Sequence, residues 1–188
     1  GLTLDSVGSP VYATDPVYGS ILQPSSGSYV KISGFPNTGY PFSVGLFARR
    51  NRTNSAGASR TFAFGYDDFS SYQNSFFHQD NTAFAYGSGG SGAELSGMPA
   101  SWVYVVAVYH SDSSRSLYNV SSAGVLTSAN DTTSLPVSPW PAKLSIGQTG
   151  WNTNEWFGGD LAFPVFFRGA MFEETARKIA SNPWQLFA

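Results

Sequence analysis

Cysteine is absent, so this chain can form neither a disulfide nor a thiolate metal site. Small eukaryotic secreted modules commonly rely on disulfides, and that class is disfavoured. At 188 residues the chain can hold a core without such a staple. Charge is scarce too. Only 12% of residues are Asp, Glu, Lys or Arg, about half the usual share, so Ser, Thr, Asn, Gln and Gly must cover the surface. Such a surface suits sheets and long loops better than helical bundles. The net charge is −2, and the one basic cluster is Arg49, Arg50 and Arg52 with Arg60. It reads as a solvated strand end, far short of the broad stripe that nucleic acid requires. Long apolar runs are missing as well. The longest, Trp102 to Tyr109, is too short to cross a bilayer, so no membrane insertion is expected. The opening Gly1-Leu2-Thr3-Leu4-Asp5-Ser6 shows no signal-peptide pattern, and Asp5 stands where myristoylation needs Ser or Thr. A soluble protein is expected.

What is present is a series of strand-like segments between Gly, Pro, Ser and Asn clusters. Phe42, Val44, Leu46 and Ala48 alternate with a period of two, as in a strand with one face on a core. Thr61 to Tyr66, Ser75 to Gln79 and Thr82 to Tyr86 read as short aromatic strands. Trp102 to Tyr109 is apolar on both faces, which marks a central strand with something packed behind its sheet. Ser116 to Val120, Leu144 to Ile146 and Leu161 to Phe167 complete the set. Pro164 cannot donate to a ladder, so its strand is an edge or is bulged there. One helix is predicted, with Phe172, Ala176, Ile179 and Ala180 on one face. Glu173–Arg177 and Glu174–Lys178 are favourable pairs four apart, and Asn182-Pro183 ends the helix. This pattern predicts an all-β, two-sheet antiparallel sandwich with one short C-terminal helix, as a single domain over residues 1–188. Residues 1–17 are expected to form an N-terminal arm outside the sandwich, and residues 182–188 a C-terminal strap.

Reactive chemistry is thin. Retaining glycoside hydrolysis wants two carboxyls about 5 Å apart, supplied most simply by an acid-x-acid strand. No such run exists; Asp67-Asp68 are adjacent and Glu173-Glu174 belong to the helix. His110-Ser111-Asp112-Ser113 resembles part of a triad but reads as a loop after a core strand. Gly87 to Gly92 satisfies G-x-G-x-x-G, yet no helix opens after it, which removes the dinucleotide reading. The richest surface candidate is Trp151-Asn152-Thr153-Asn154-Glu155-Trp156-Phe157. Flat rings beside paired amide donors and acceptors suit sugar rings or a protein partner. Trp156 and Phe157 are expected to pack beneath this loop. Trp151, Asn152 and Asn154, with Tyr66, are the candidate ligand-binding residues, and no catalytic or metal-binding residue is expected.

The second half carries an ordered set of features. The Trp102–Tyr109 strand comes first, then Ser116-Leu117-Tyr118 and a turn over Asn119 to Gly124. Lys143-Leu144-Ser145-Ile146-Gly147, Phe157-Gly158-Gly159-Asp160-Leu161 and the Glu173-Glu174 helix follow. This order resembles the laminin-G-like, or concanavalin A-like, jelly rolls, over roughly Tyr29 to Ile179. Two departures are the long turn in place of an Asp-Gly hairpin and an acidic residue before, rather than after, the aliphatic Leu161. The ending Asn182-Pro183-Trp184-Gln185-Leu186-Phe187 is similar to the tails of laminin-G-like proteins in tailed bacteriophages and prophages. The resemblance implies a non-enzymatic virion component, a capsid decoration or tail-associated protein. The alternative it leaves open is a secreted, glycan-binding, lectin-like adhesion module. The implied partners are phage capsid or tail proteins, further copies of the chain, or cell-surface glycans. Leu2, Leu4, Trp184 and Phe187 are the expected assembly contacts. No cofactor is expected. Many laminin-G-like domains hold calcium at a sheet rim, and Asp80-Asn81, Asp112 and Asn130-Asp131-Thr132 offer oxygen, but no EF-hand spacing is present.

Overall fold

The computed structural model describes residues 3–33, 39–52, 58–64, 75–79, 82–86, 92–96, 100–111, 113–132, 143–148 and 156–187. They form two seven-stranded antiparallel sheets, with strands numbered along the chain. The first runs β1 (Thr3–Val7), β4 (Tyr29–Ser33), β13 (Lys143–Ile146), β6 (Ala58–Phe64), β7 (Ser75–Gln79), β8 (Thr82–Tyr86), β9 (Gly92–Leu95). The second runs β12 (Leu126–Asp131), β11 (Arg115–Ser121), β10 (Val103–Tyr109), β5 (Phe42–Arg50), β14 (Gly159–Phe167), β3 (Gly19–Gln23), β2 (Val11–Asp15). The predicted two-sheet sandwich is what these residues build.

The two-faced hydrophobicity of β10 has a direct structural cause. Val103, Val105, Ala107 and Tyr109 point into the space between the sheets, where they meet Phe42, Val44, Leu46 and Ala48 of β5 and Ile146 of β13. The alternate residues Tyr104, Val106 and Val108 point to the outer face of the second sheet. Helix α1 (Glu173–Ser181) covers that face with Ala176, Ile179 and Ala180, making a third layer. Burial of a side chain the size of Val106 or Ile179 contributes roughly 1.5–3 kcal/mol, and of an alanine methyl about 0.8 kcal/mol. Phe172, expected on the buried face, is instead the N-cap, with extended backbone, and is 74% exposed. Glu174 and Lys178 pair at 2.8 Å as expected, whereas Arg177 donates to the Gly124 carbonyl.

Three further expectations are corrected. The N-terminal segment is not an arm outside the sandwich, because β1 pairs with β4 over Thr3–Val7 and β2 pairs with β3 over Val11–Asp15. It supplies one edge strand to each sheet. Asn119 and Val120 lie in β11, and the turn to β12 is confined to the residues before Leu126, with Gly124 at φ +77°. Asn130 and Asp131 therefore belong to a strand rather than to an oxygen-rich loop. Of the two positions expected for Pro164, edge or bulge, the bulge is the one observed. The register of β14 on β5 shifts between Ala162 and Val165, and Phe163 takes φ +45°. That interruption removes the need for the missing proline N–H.

Candidate functional site

One rim of the second sheet gathers the richest polar chemistry among the described residues. The ends of β2, β5 and β14 meet there with Trp102, just before β10. Asp160 is fully buried and accepts four hydrogen bonds from three side chains. Gln23 Nε2 reaches Oδ1 at 2.8 Å, Asn51 Nδ2 reaches Oδ2 at 2.6 Å, and Arg49 contributes Nε at 3.1 Å and a terminal nitrogen at 2.5 Å. A buried carboxylate is tolerable only with such compensation. Arg49 also approaches Asp15 at 3.8 Å and lies over the Trp102 ring, 4.7 Å from its centroid.

Asp15 closes the other side of the rim. Its Oδ1 accepts from the backbone N–H of Val17 at 2.9 Å and of Tyr18 at 3.1 Å, which shapes the β2–β3 turn. Its Oδ2 accepts from the Trp102 indole at 3.3 Å. Burial pushes the Asp15 carboxyl up, but the two backbone donors, the indole N–H and Arg49 outweigh it and hold the group below the ordinary carboxylate range. Tyr18 packs on Trp102 at 4.5 Å, and burial raises its phenol.

Gln148 and Trp156, the described residues on either side of the segment predicted as an aromatic and Asn-rich loop, lie near this rim. The two flanks are joined where Phe157 N–H donates to the Gly147 carbonyl at 2.7 Å and where Gln148 and Trp156 form an isolated bridge. Phe157 is fully buried in the main core, as expected. Trp156 is only half-buried and faces the Arg52 guanidinium at 5.9 Å. Arg52 ties the rim to β14: its backbone N–H donates to the Gly158 carbonyl, and its guanidinium donates to that of Gly159. Trp151, Asn152, Asn154 and Tyr66 lie outside the described residues, as does Leu2. No sequence pattern marks these rim residues as a site. Their only local signal was the arginine cluster, since Arg49 and Asp160 are 111 positions apart.

The chain ends expected to make contacts are exposed where they are described. Leu4 is 68% exposed, Trp184 53% and Phe187 68%. The strap, a 3-10 turn over Pro183–Phe187, nevertheless docks on the sandwich. Trp184 donates its indole N–H to the Val17 carbonyl at 3.1 Å, and its ring meets Phe163 edge-on at 5.1 Å. His110, the triad candidate, contacts the Ser116 hydroxyl at 2.9 Å, and Ser116 donates to Asn130 Oδ1 at 2.6 Å. The Ser116 proton is thus directed away from the imidazole, so this set does not generate a nucleophile. Asp112, Asp80 and Asn81 lie outside the described residues. Among those described, no three His, Asp or Glu side chains converge as metal ligands.

No family model matches the chain, and no curated relative is found. Solved structures share its fold. The binding domain of botulinum neurotoxin DC, solved in complex with SialylT, matches with a TM-score of 0.69 at 11% identity, over 95% of this chain and 46% of that one. Domain 4 of a GH43 extracellular arabinanase from Geobacillus stearothermophilus, in complex with arabinotriose, matches with a TM-score of 0.61 at 15% identity, over 95% and 87%. A Trypanosoma rangeli sialidase in complex with the inhibitor DANA matches with a TM-score of 0.64 at 13% identity, over 91% and 29%. The chain spans about half the length of the toxin structure. At such identities the likeness is one of fold alone: a two-sheet antiparallel β-sandwich.

Proposed function

We propose that this domain is a non-catalytic carbohydrate-binding module whose ligand lies across the rim at the base of the 149–155 loop. The carrying observation is the half-buried Trp156 ring beside Arg52, at the root of Trp151-Asn152-Thr153-Asn154. The ring supplies a flat apolar face for a pyranose or furanose, the Arg52 guanidinium beside it can donate to hydroxyls, and the Asn152 and Asn154 amides, close by in sequence, would add further donors. The Asp160 hydrogen-bond fan holds the supporting backbone in place before any ligand arrives, which limits the ordering cost of binding. Three fold neighbours solved with a sialyl ligand, arabinotriose and DANA support a sugar as ligand.

The same rim argues against hydrolysis. A glycosidase needs one carboxyl protonated and one free to attack. Here Arg49 stands between Asp15 and Asp160, and the Asp15 carboxyl is held ionised. On a glycan array the chain should bind at least one glycan class, with Trp151→Ala and Trp156→Ala each weakening it roughly tenfold while circular dichroism is unchanged, equivalent to about 1.4 kcal/mol. Reducing-sugar release should not exceed that of a boiled control. Absence of binding at millimolar glycan removes the reading.

A second reading, assembly as a virion decoration or tail-associated protein, is favoured by one observation. Exposed Leu4, Trp184 and Phe187 offer apolar contact surface at both chain ends. A particle surface and a secreted form are the corresponding locations.

A further inference from the structure

We propose that the apolar cavity between the sheets, at the β1/β2 edge, is a binding site for a small monocyclic aromatic ligand. The cavity measures about 180 Å³. Leu22 and Leu161 line it from one sheet, and Val30 and Ile146 from the other. Exposed Leu4, Tyr12 and Ser20 stand at its mouth.

Its origin lies in the bulge of β14. Alternate residues of an unbroken strand share a face, so Leu161 and Phe163 would both point between the sheets. Leu161 does so. The register shift between Ala162 and Val165, with Phe163 at φ +45°, instead turns the Phe163 ring to the outer face, against Phe47 and Trp184. The space a phenyl ring would have filled is left open. β14 meets β3 through the Leu161↔Leu22 pair, next to that opening. A non-glycine residue held at positive φ is costly, and such strain concentrates at ligand sites.

Size and lining select the ligand. A sealed apolar cavity of roughly 150 Å³ in another protein takes benzene, and this one, open to solvent at its mouth, offers a volume of the same order for a single ring. The hydroxyls of Ser20 and Tyr12 at the mouth would accept one polar substituent, the usual division of labour in small-molecule pockets. The site uses none of the rim side chains around Asp160, so it is independent of the carbohydrate reading.

The test titrates toluene into the ¹⁵N-labelled chain at 25 °C and follows amide shifts by NMR. The expected result is saturable shifts centred on Leu22, Val30, Ile146 and Leu161. Ser20→Phe at the mouth and Ile32→Phe, at a β4 residue that also lines the cavity, each place a ring there and should weaken binding at least tenfold. The proposal is overturned by an absence of saturable shifts, by shifts centred elsewhere, or by undiminished affinity in a folded filled variant. It is equally overturned if raising protein concentration without toluene reproduces the shifts, since a side chain of a second copy would then be the occupant.

Discussion

Asp15 and Asp160 are both buried carboxylates beside Arg49, yet they have different work. Asp160 is a convergence point, accepting side-chain donors from β3, β5 and the segment after it. Asp15 is local, and its main partners are the backbone groups two and three residues on. Because its folded carboxyl titrates below the unfolded one, the stabilisation it supplies is present at neutral pH and is lost as pH falls from about 4 through the folded value. Asp15→Ala should therefore cost about 1–2 kcal/mol at pH 7, through two lost backbone hydrogen bonds. It should also flatten the fall in stability between pH 5 and pH 3. Urea unfolding at both pH values measures this; an unchanged acid limb would remove Asp15 as its source.

Among the elements, β1 shows how an edge strand can look dispensable in sequence. Its residues are mostly exposed, with burial confined to a partial cover of Val7, and its contribution is the ladder to β4 from Thr3↔Ser33 to Val7↔Tyr29. Removing residues 1–10 takes away that ladder, bares the edge of β4 and opens the mouth of the cavity at Leu4. The truncated chain should lose about 2 kcal/mol or more, lowering Tm by roughly 4–8 °C. Thermal unfolding followed by circular dichroism reads the change, and a Tm within a degree of the full chain would show the segment to be an accessory arm after all. β14 teaches the complementary lesson. It sits between β5 and β3, and only its bulge allows proline there.

For the whole molecule, the two chain ends converge on one neighbourhood. Leu4 and Phe163 line the same cavity, and Phe163 in turn packs on Trp184 and on Phe187 at 5.4 Å. The apolar groups at the two ends therefore surround one bulge, although they are far apart in sequence. Repetition on a particle multiplies weak contacts of this kind, so modest losses per copy are amplified. If assembly is the role, wild-type protein should be found in purified virions by mass spectrometry, and the triple variant Leu4→Ser, Trp184→Ser, Phe187→Ser should fall at least tenfold in incorporation. Virions that contain no wild-type protein would end the assembly reading and leave glycan recognition as the sole proposed role.

The sequence by itself determined what is local and periodic. The period-two pattern of Phe42 to Ala48, the two-faced run from Trp102 to Tyr109 and the helix stopped at Asn182-Pro183 each specify an element and the faces it must bury. Those constraints lead to two sheets with a covering helix. The burial of Phe157 and the discontinuity at Pro164 were legible for the same reason. Pairings between distant residues were decided only by the tertiary structure. Nothing near Asp160 in sequence announces Arg49, Asn51 and Gln23, and nothing near Thr3 announces β4. The outward turn of Phe163 likewise depends on β5 and the strap, because a ring at a bulge follows whichever neighbours can bury it. Periodicity reports how many faces must be covered; packing chooses what covers them.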